Sequence, residues 1–102
     1  MPSKEYQIQL REDVYIVVEF AMVTGRIVSF VVRLMYATDG NDVNVARYDT
    51  AHGTPHRDDL GKKGGLLAKT WYFEAELSQV LRQAVDDFKE NYEGYIRSYF
   101  KN

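Results

Sequence analysis

The sequence predicts an α+β domain: an antiparallel, mainly meander sheet of three to five strands packed by one long C-terminal helix. Three observations carry this expectation. Two adjacent runs, 14–23 (VYIVVEFAMV) and 27–37 (IVSFVVRLMYA), are rich in β-branched and aromatic residues and flank Thr24-Gly25-Arg26, which reads as a long hairpin. Turn signals at 38–42 (TDGND) and 61–65 (GKKGG) then punctuate shorter segments. Beyond residue 74, apolar residues recur at helical spacing: Leu77, Leu81, Ala84/Val85, Phe88, Tyr92, Tyr95/Ile96 and Tyr99.

The hairpin register follows from its faces. Val14, Ile16, Val18, Phe20 and Met22 are all apolar, as are Val28, Phe30, Val32, Leu34 and Tyr36. Pairing even positions with even positions gives one wholly apolar face, whereas a one-residue slip mixes in Ser29 and Arg33. The odd face is also largely apolar, so either another segment or a second subunit is expected to cover it. Within that face Glu19 has a simple cross-strand partner in Arg33. A third strand is expected over 43–49 (VNVARYD), an edge strand over 5–10 and a returning strand over 66–72. Trp71, Tyr72 and Phe73 read as core at the sheet–helix junction.

The helix, about 74 to 100, would be about 40 Å long at 1.5 Å per residue, against roughly 30 Å for the longest strands. It should overhang the sheet or bend near Gly94. Glu74 and Glu76 favour its N-terminal end and Arg97 and Lys101 its C-terminal end; Asp86, Asp87, Glu90 and Glu93 read as its solvated face. An aromatic overhang (Tyr92, Tyr95, Ile96, Tyr99, Phe100) would need a partner, hence a candidate homodimer, unless it covers its own sheet.

At 102 residues the chain is expected to be a single domain over 1–102. It has no cysteine, which excludes disulfides, thiolate ligands and a cysteine nucleophile. The N-terminus shows no basic-then-apolar leader pattern, and Glu19 and Arg33 interrupt the longest apolar stretches, so a cytoplasmic protein without membrane contact is expected. The net charge of −2 argues against broad binding to nucleic acid. From 47 to 69, however, five bases face three acids, while the flanking segments each come to −2.

That basic stretch contains Tyr48-Asp49-Thr50-Ala51-His52-Gly53-Thr54-Pro55-His56-Arg57-Asp58, with both histidines of the chain. Gly53 and Pro55 between them place the pair on a turn rather than on one helical face. Three chemistries fit. His52 and His56 could form an acid–base pair, with Asp49 orienting one imidazole and Arg57 or Arg47 neutralising charge on a phosphate, the parts metal-free RNA cleavage needs; Tyr48 could stack on a base. Asp49, His52 and His56 could instead ligate a divalent metal, although nothing singles this out and neither a metal site nor a cofactor is expected. The loop could also bind an anion or a protein without catalysis. The structural alternative is that Asp49 caps the turn, one histidine bonds the backbone and Arg57–Asp58 is a surface pair of little worth.

The motif resembles the signature of a family of short uncharacterised prokaryotic proteins, in which a Tyr-Asp-x-Ala-His-Gly-x-x-His-Arg core follows two or three strands and precedes a C-terminal helix. More distantly, the layout is similar to TumE-like toxins of toxin–antitoxin pairs, which carry a Tyr-Asp-Asn element and then a histidine cluster; here Thr50 replaces the asparagine and the cluster is one spaced pair. This second resemblance implies a small toxin component with His52, His56 and Asp49 at the matching positions, and an antitoxin protein as partner. The leading expectation is thus a metal-independent RNase-like toxin using His52, His56, Asp49 and Arg57 as catalytic residues, with Arg47 and Tyr48 binding RNA. The alternative is a non-enzymatic protein whose loop recognises an anionic ligand or protein partner.

Overall fold

In the computed structural model, which describes residues 3–72 and 76–102 with the side chain of His52 excepted, the chain runs as six strands and a helix. These are β1 (Ser3–Arg11), β2 (Val14–Val23), β3 (Arg26–Ala37), β4 (Asp42–Asp49), β5 (His56–Leu60), β6 (Leu66–Trp71) and α1 (Leu77–Lys101), with a 3-10 turn at Ala51–Gly53. The strands lie in sequence order and every neighbouring pair is antiparallel. The fold class is α+β, with one helix on an antiparallel meander sheet, but that sheet has six strands rather than three to five. The extra strand is β5. Its sequence, HRDDL, has one apolar residue and two aspartates, which are poor strand formers, yet ladder pairing on both sides outweighs that propensity.

The central hairpin holds the even-to-even register: Val14 faces Tyr36, Ile16 Leu34, Val18 Val32 and Phe20 Phe30. Thr24 and Gly25 both have positive φ, as a two-residue hairpin loop matched to strand twist requires. A register shift at Ala21/Met22 brings Ile27 opposite Met22. Ile27 therefore packs on the core and Val28 is left exposed, contrary to the sequence expectation.

One face of the sheet supplies Val14, Ile16, Val18, Phe30, Val32, Leu34, Ala46 and Tyr48 to the core, and α1 answers with Val80, Ala84 and Phe88. Each of the larger side chains contributes about 1.5–3 kcal/mol by its burial. Tyr92, Tyr95, Ile96 and Tyr99 pack against the same core. Phe100 meets Tyr36 edge-on at 5.5 Å, and the Lys62 N–H donates to the Tyr99 carbonyl at 3.0 Å. The aromatic end of the helix is thus spent on its own sheet. Glu74 and Phe73 lie outside the described residues. No helix among the described residues is long and apolar enough to cross a membrane.

Candidate functional site

Because side chains alternate along each strand, the face of the sheet opposite α1 can be read as rows running across the strands. One row joins Arg33, Arg47, Asp58 and Lys69 through the pairs Arg33–Arg47, Arg47–Asp58 and Asp58–Lys69. The adjacent row joins Glu19, Val31, Asp49, His56 and Trp71. Acidic and basic residues meet where the rows touch, and Glu19 takes Arg33 at 2.7 Å.

The centre of this face is His56, 2 % exposed. Its Nδ1 lies 3.2 Å from the Thr54 carbonyl oxygen. Its Nε2 lies 3.1 Å from Asp49 Oδ1 and 3.7 Å from Asp58 Oδ2. Trp71 closes the ring on one side at 4.9 Å between centroids. A carbonyl oxygen only accepts, so Nδ1 is the donor there; Nε2 then points at two further acceptors. The Ala51 N–H also donates to Asp49 Oδ1 at 2.9 Å, which ties the carboxylate to the turn that follows it. Gly53, at φ 87°, lets the chain close that turn.

Arg47 grips Asp58 Oδ2 with Nε and Nη2, both at 3.1 Å, and its Nε lies 3.4 Å from Asp49 Oδ2. Lys69 Nζ approaches Asp58 Oδ1 at 2.9 Å and also lies over Trp71, 5.3 Å from the ring centroid. Burial alone would raise the Asp58 pKa, but Lys69 and Arg47 outweigh it and hold this carboxyl below its ordinary range. Two carboxylates and two basic side chains thus surround the buried imidazole.

A groove of about 410 Å³ opens beside it. Arg33, Arg47, Glu19 and Asp49 line it together with Thr50 and Ala51 of the 3-10 turn. The Arg47 side chain is 41 % exposed, so a guanidinium fixed from behind by buried carboxylates stands at the groove wall.

The site candidates named from the sequence divide between the two faces. Arg47, Asp49 and His56 come together. The side chain of His52 lies outside the described structure; its backbone belongs to the 3-10 turn bordering the groove. Tyr48 and Arg57 alternate onto the helix face, where they join a second polar cluster. The Tyr48 and Tyr95 hydroxyls donate to Asp87 Oδ2 at 2.7 and 2.5 Å, and Asn91 donates to Oδ1 at 2.7 Å. Arg57 Nε donates to Asp59 Oδ1 at 3.1 Å, while its guanidinium carbon lies 5.6 Å from the centre of the Tyr95 ring. Arg57 is thus paired with Asp59 rather than with Asp58, and Asp87 turns inward instead of joining the solvated face. Burial, reinforced by Asp87, pushes both tyrosines above the ordinary phenol pKa. Burial likewise raises Asp59, only partly offset by Arg57. A strand one residue thick separates Tyr48 and Arg57 from the groove, so neither shares a site with His56.

Sequence reasoning missed Asp58 and Lys69. The signal was present in HRDDL: read as a strand, it puts His56 and Asp58 on one side and Arg57 and Asp59 on the other. No curated protein and no solved structure matches the chain. A family model described only as a domain of unknown function, DUF7718, matches residues 1–102, and the chain belongs to that family.

Proposed function

We propose that the chain is a binding protein for a phosphate-bearing ligand, held in the groove between the Ala51–Gly53 turn and strands β2 to β4. The observation that carries this reading is Arg47: a half-exposed guanidinium oriented by Asp58 and Asp49, with Asp49 packed against His56 Nε2 at 3.1 Å and Asp58 paired with Lys69 at 2.9 Å. An arginine held in this way presents its remaining donors to an anion without losing side-chain freedom on binding. Arg33 stands on the same wall. The charges of Arg33, Arg47, Glu19 and Asp49 cancel, so affinity comes from oriented hydrogen bonds more than from a long-range field. A single-stranded RNA oligonucleotide should therefore bind with a shallow salt dependence, a log–log slope of roughly −1.4 for two phosphate contacts. Arg47→Met should weaken it roughly ten- to a hundredfold, the value of a charge-assisted hydrogen bond. Equal affinity for the variant, or a slope several times steeper, would remove the reading.

A second reading, RNA cleavage by a toxin component with an antitoxin partner, is favoured by one observation. The turn that carries His52 borders the groove into which Asp49 faces. In this reading His52 and Asp49 exchange protons and Arg47 meets the phosphate. His56, with both ring nitrogens engaged and its ring sealed, holds Asp49 in place and does not touch substrate. Growth inhibition and RNA loss on overexpression, abolished by His52→Ala in a protein that remains folded, would establish this reading over simple binding.

A further inference from the structure

We propose that Asp49, His56 and Asp58 form a site for one divalent first-row metal ion, with Arg47 as its built-in competitor. Nδ1 of His56 fixes how the ring is presented. That nitrogen faces the Thr54 carbonyl oxygen, so Nε2 is the ring nitrogen left to meet a ligand. It is buried and aimed at Asp49 Oδ1 and Asp58 Oδ2, at 3.1 and 3.7 Å. Three potential donor atoms thus converge, and the cation that already reaches them, the Arg47 guanidinium on Asp58 Oδ2, comes from the half-exposed side of the cluster.

The geometry suits a cation. The donor atoms of the three residues all lie within 4.8 Å of one another, and donors about 2.0–2.2 Å from a tetrahedral ion stand about 3.4 Å apart. The two separations from His56 Nε2, 3.1 and 3.7 Å, bracket that value. The surroundings also match what orients metal ligands, in which a histidine gives its other N–H to a backbone carbonyl and ligating carboxylates are themselves hydrogen-bonded. Here Thr54 holds the imidazole, the Ala51 N–H holds Asp49 and the Lys69 ammonium forms an ion pair with the far oxygen of Asp58. One nitrogen and two oxygen donors suit Zn²⁺ or Mn²⁺.

Arg47 is the obstacle and the test. Its Nε and Nη2 sit on the same Asp58 oxygen that would face the ion. Being half exposed, it can swing toward the groove when a metal enters. Metal and guanidinium therefore compete for one carboxylate. Removing the guanidinium must strengthen the metal while weakening a groove anion, so the two proposals predict opposite signs for one substitution and can fail separately.

The experiment titrates ZnCl₂ alone, without RNA, into the untagged chain, followed by calorimetry and thermal unfolding. The expected result is one ion per chain and a Tm that climbs with free Zn²⁺. Arg47→Met should tighten binding severalfold, Asp58→Asn should weaken it roughly a hundredfold, and His52→Ala should leave it unchanged. Asp58→Asn and His52→Ala are checked for folding by circular dichroism; Arg47→Met, at a half-exposed position, keeps the test decisive if Asp58→Asn does not fold. Three results would each overturn the proposal: no Zn²⁺-dependent stabilisation, binding that Arg47→Met leaves the same or weakens, or binding lost in folded His52→Ala but kept in Asp58→Asn.

Discussion

Replacing His56 by alanine tests whether this residue braces the open face or merely decorates it. The ring is 2 % exposed, packed at a 49° tilt against Trp71, and has an oxygen within 3.2 Å of each nitrogen. Truncating a buried ring costs about 3–5 kcal/mol when the ring is phenyl, and the smaller imidazole should cost about 2–4. Losing the ring nitrogens leaves the Thr54 carbonyl without its partner and Asp49 Oδ1 without its 3.1 Å neighbour, at about 1–3 kcal/mol for a buried group. Asp49 keeps the Ala51 N–H, so the second cost falls at the low end and the total is about 3–5 kcal/mol. Domains of this size have about 5–15 kcal/mol in all, and each kcal/mol moves Tm by about 4–8 °C. Urea unfolding followed by the fluorescence of Trp71, the single tryptophan, reads the loss directly. His56→Phe separates the two parts by keeping a ring and deleting both bonds. If His56→Ala unfolds within about 0.5 kcal/mol of the parent, as surface substitutions do, the brace does not exist. The result also governs how toxicity assays are read: inactivity of His56→Ala reports lost structure, and only His52→Ala can report lost chemistry.

Other consequences are open to the same kind of measurement. Asp87→Asn should destabilise the protein by about 1–3 kcal/mol, because Tyr48 and Tyr95 lose a charged acceptor; unchanged urea midpoints would show that the helix is not clamped there. The raised pKa values of Tyr48 and Tyr95 mean that the unfolded chain ionises these phenols first. The stability they contribute is complete below the ordinary value of 10.0 and is lost as pH rises above it. Absorbance titration should show these two tyrosines ionising only together with loss of the circular-dichroism signal; smooth ionisation in a folded protein would contradict their burial. Gly53→Ala should cost about 1–2 kcal/mol through its positive φ alone, since a Cβ there meets nothing within 4 Å. Backbone amide shifts confined to residues 50–56 would confirm that the strain is local to the turn.

The central hairpin was legible because its period-two pattern admits one register: Val14, Ile16, Val18 and Phe20 face Tyr36, Leu34, Val32 and Phe30 as their hydrophobicity requires. The bulge at Ala21/Met22 was not legible, since Ile27 and Val28 are equally apolar and only the register shift decides which enters the core. Strand β5 was hidden for the opposite reason. Its four leading residues are all polar, and the partners that satisfy buried Asp58 come from elsewhere in the chain, Lys69 and Arg47 on the two neighbouring strands. With β5 hidden, the alternation that parts Arg57 from His56 could not be seen, and residues adjacent in sequence were gathered into one loop. Asp49, His56 and Arg47 were legible as neighbours because the short turn brings Asp49 directly opposite His56. Asp87 was misplaced by its acidic neighbours: helical spacing puts it beside Ala84 and Phe88 on the inward side, but its partners Tyr48 and Tyr95 belong to the tertiary fold.

The proposal that buried carboxylates hold Arg47 at the groove to receive an anion is tested most directly by following backbone and arginine side-chain resonances while a short single-stranded RNA is added to the metal-free chain and to Arg47→Met. Saturable shifts are expected at Arg33, Arg47, Thr50 and Ala51, with little change at Arg57 and Tyr95 on the helix face, and with loss or marked weakening of the response in Arg47→Met. Shifts centred on Arg57 and Tyr95, or a response that Arg47→Met leaves intact, would contradict it.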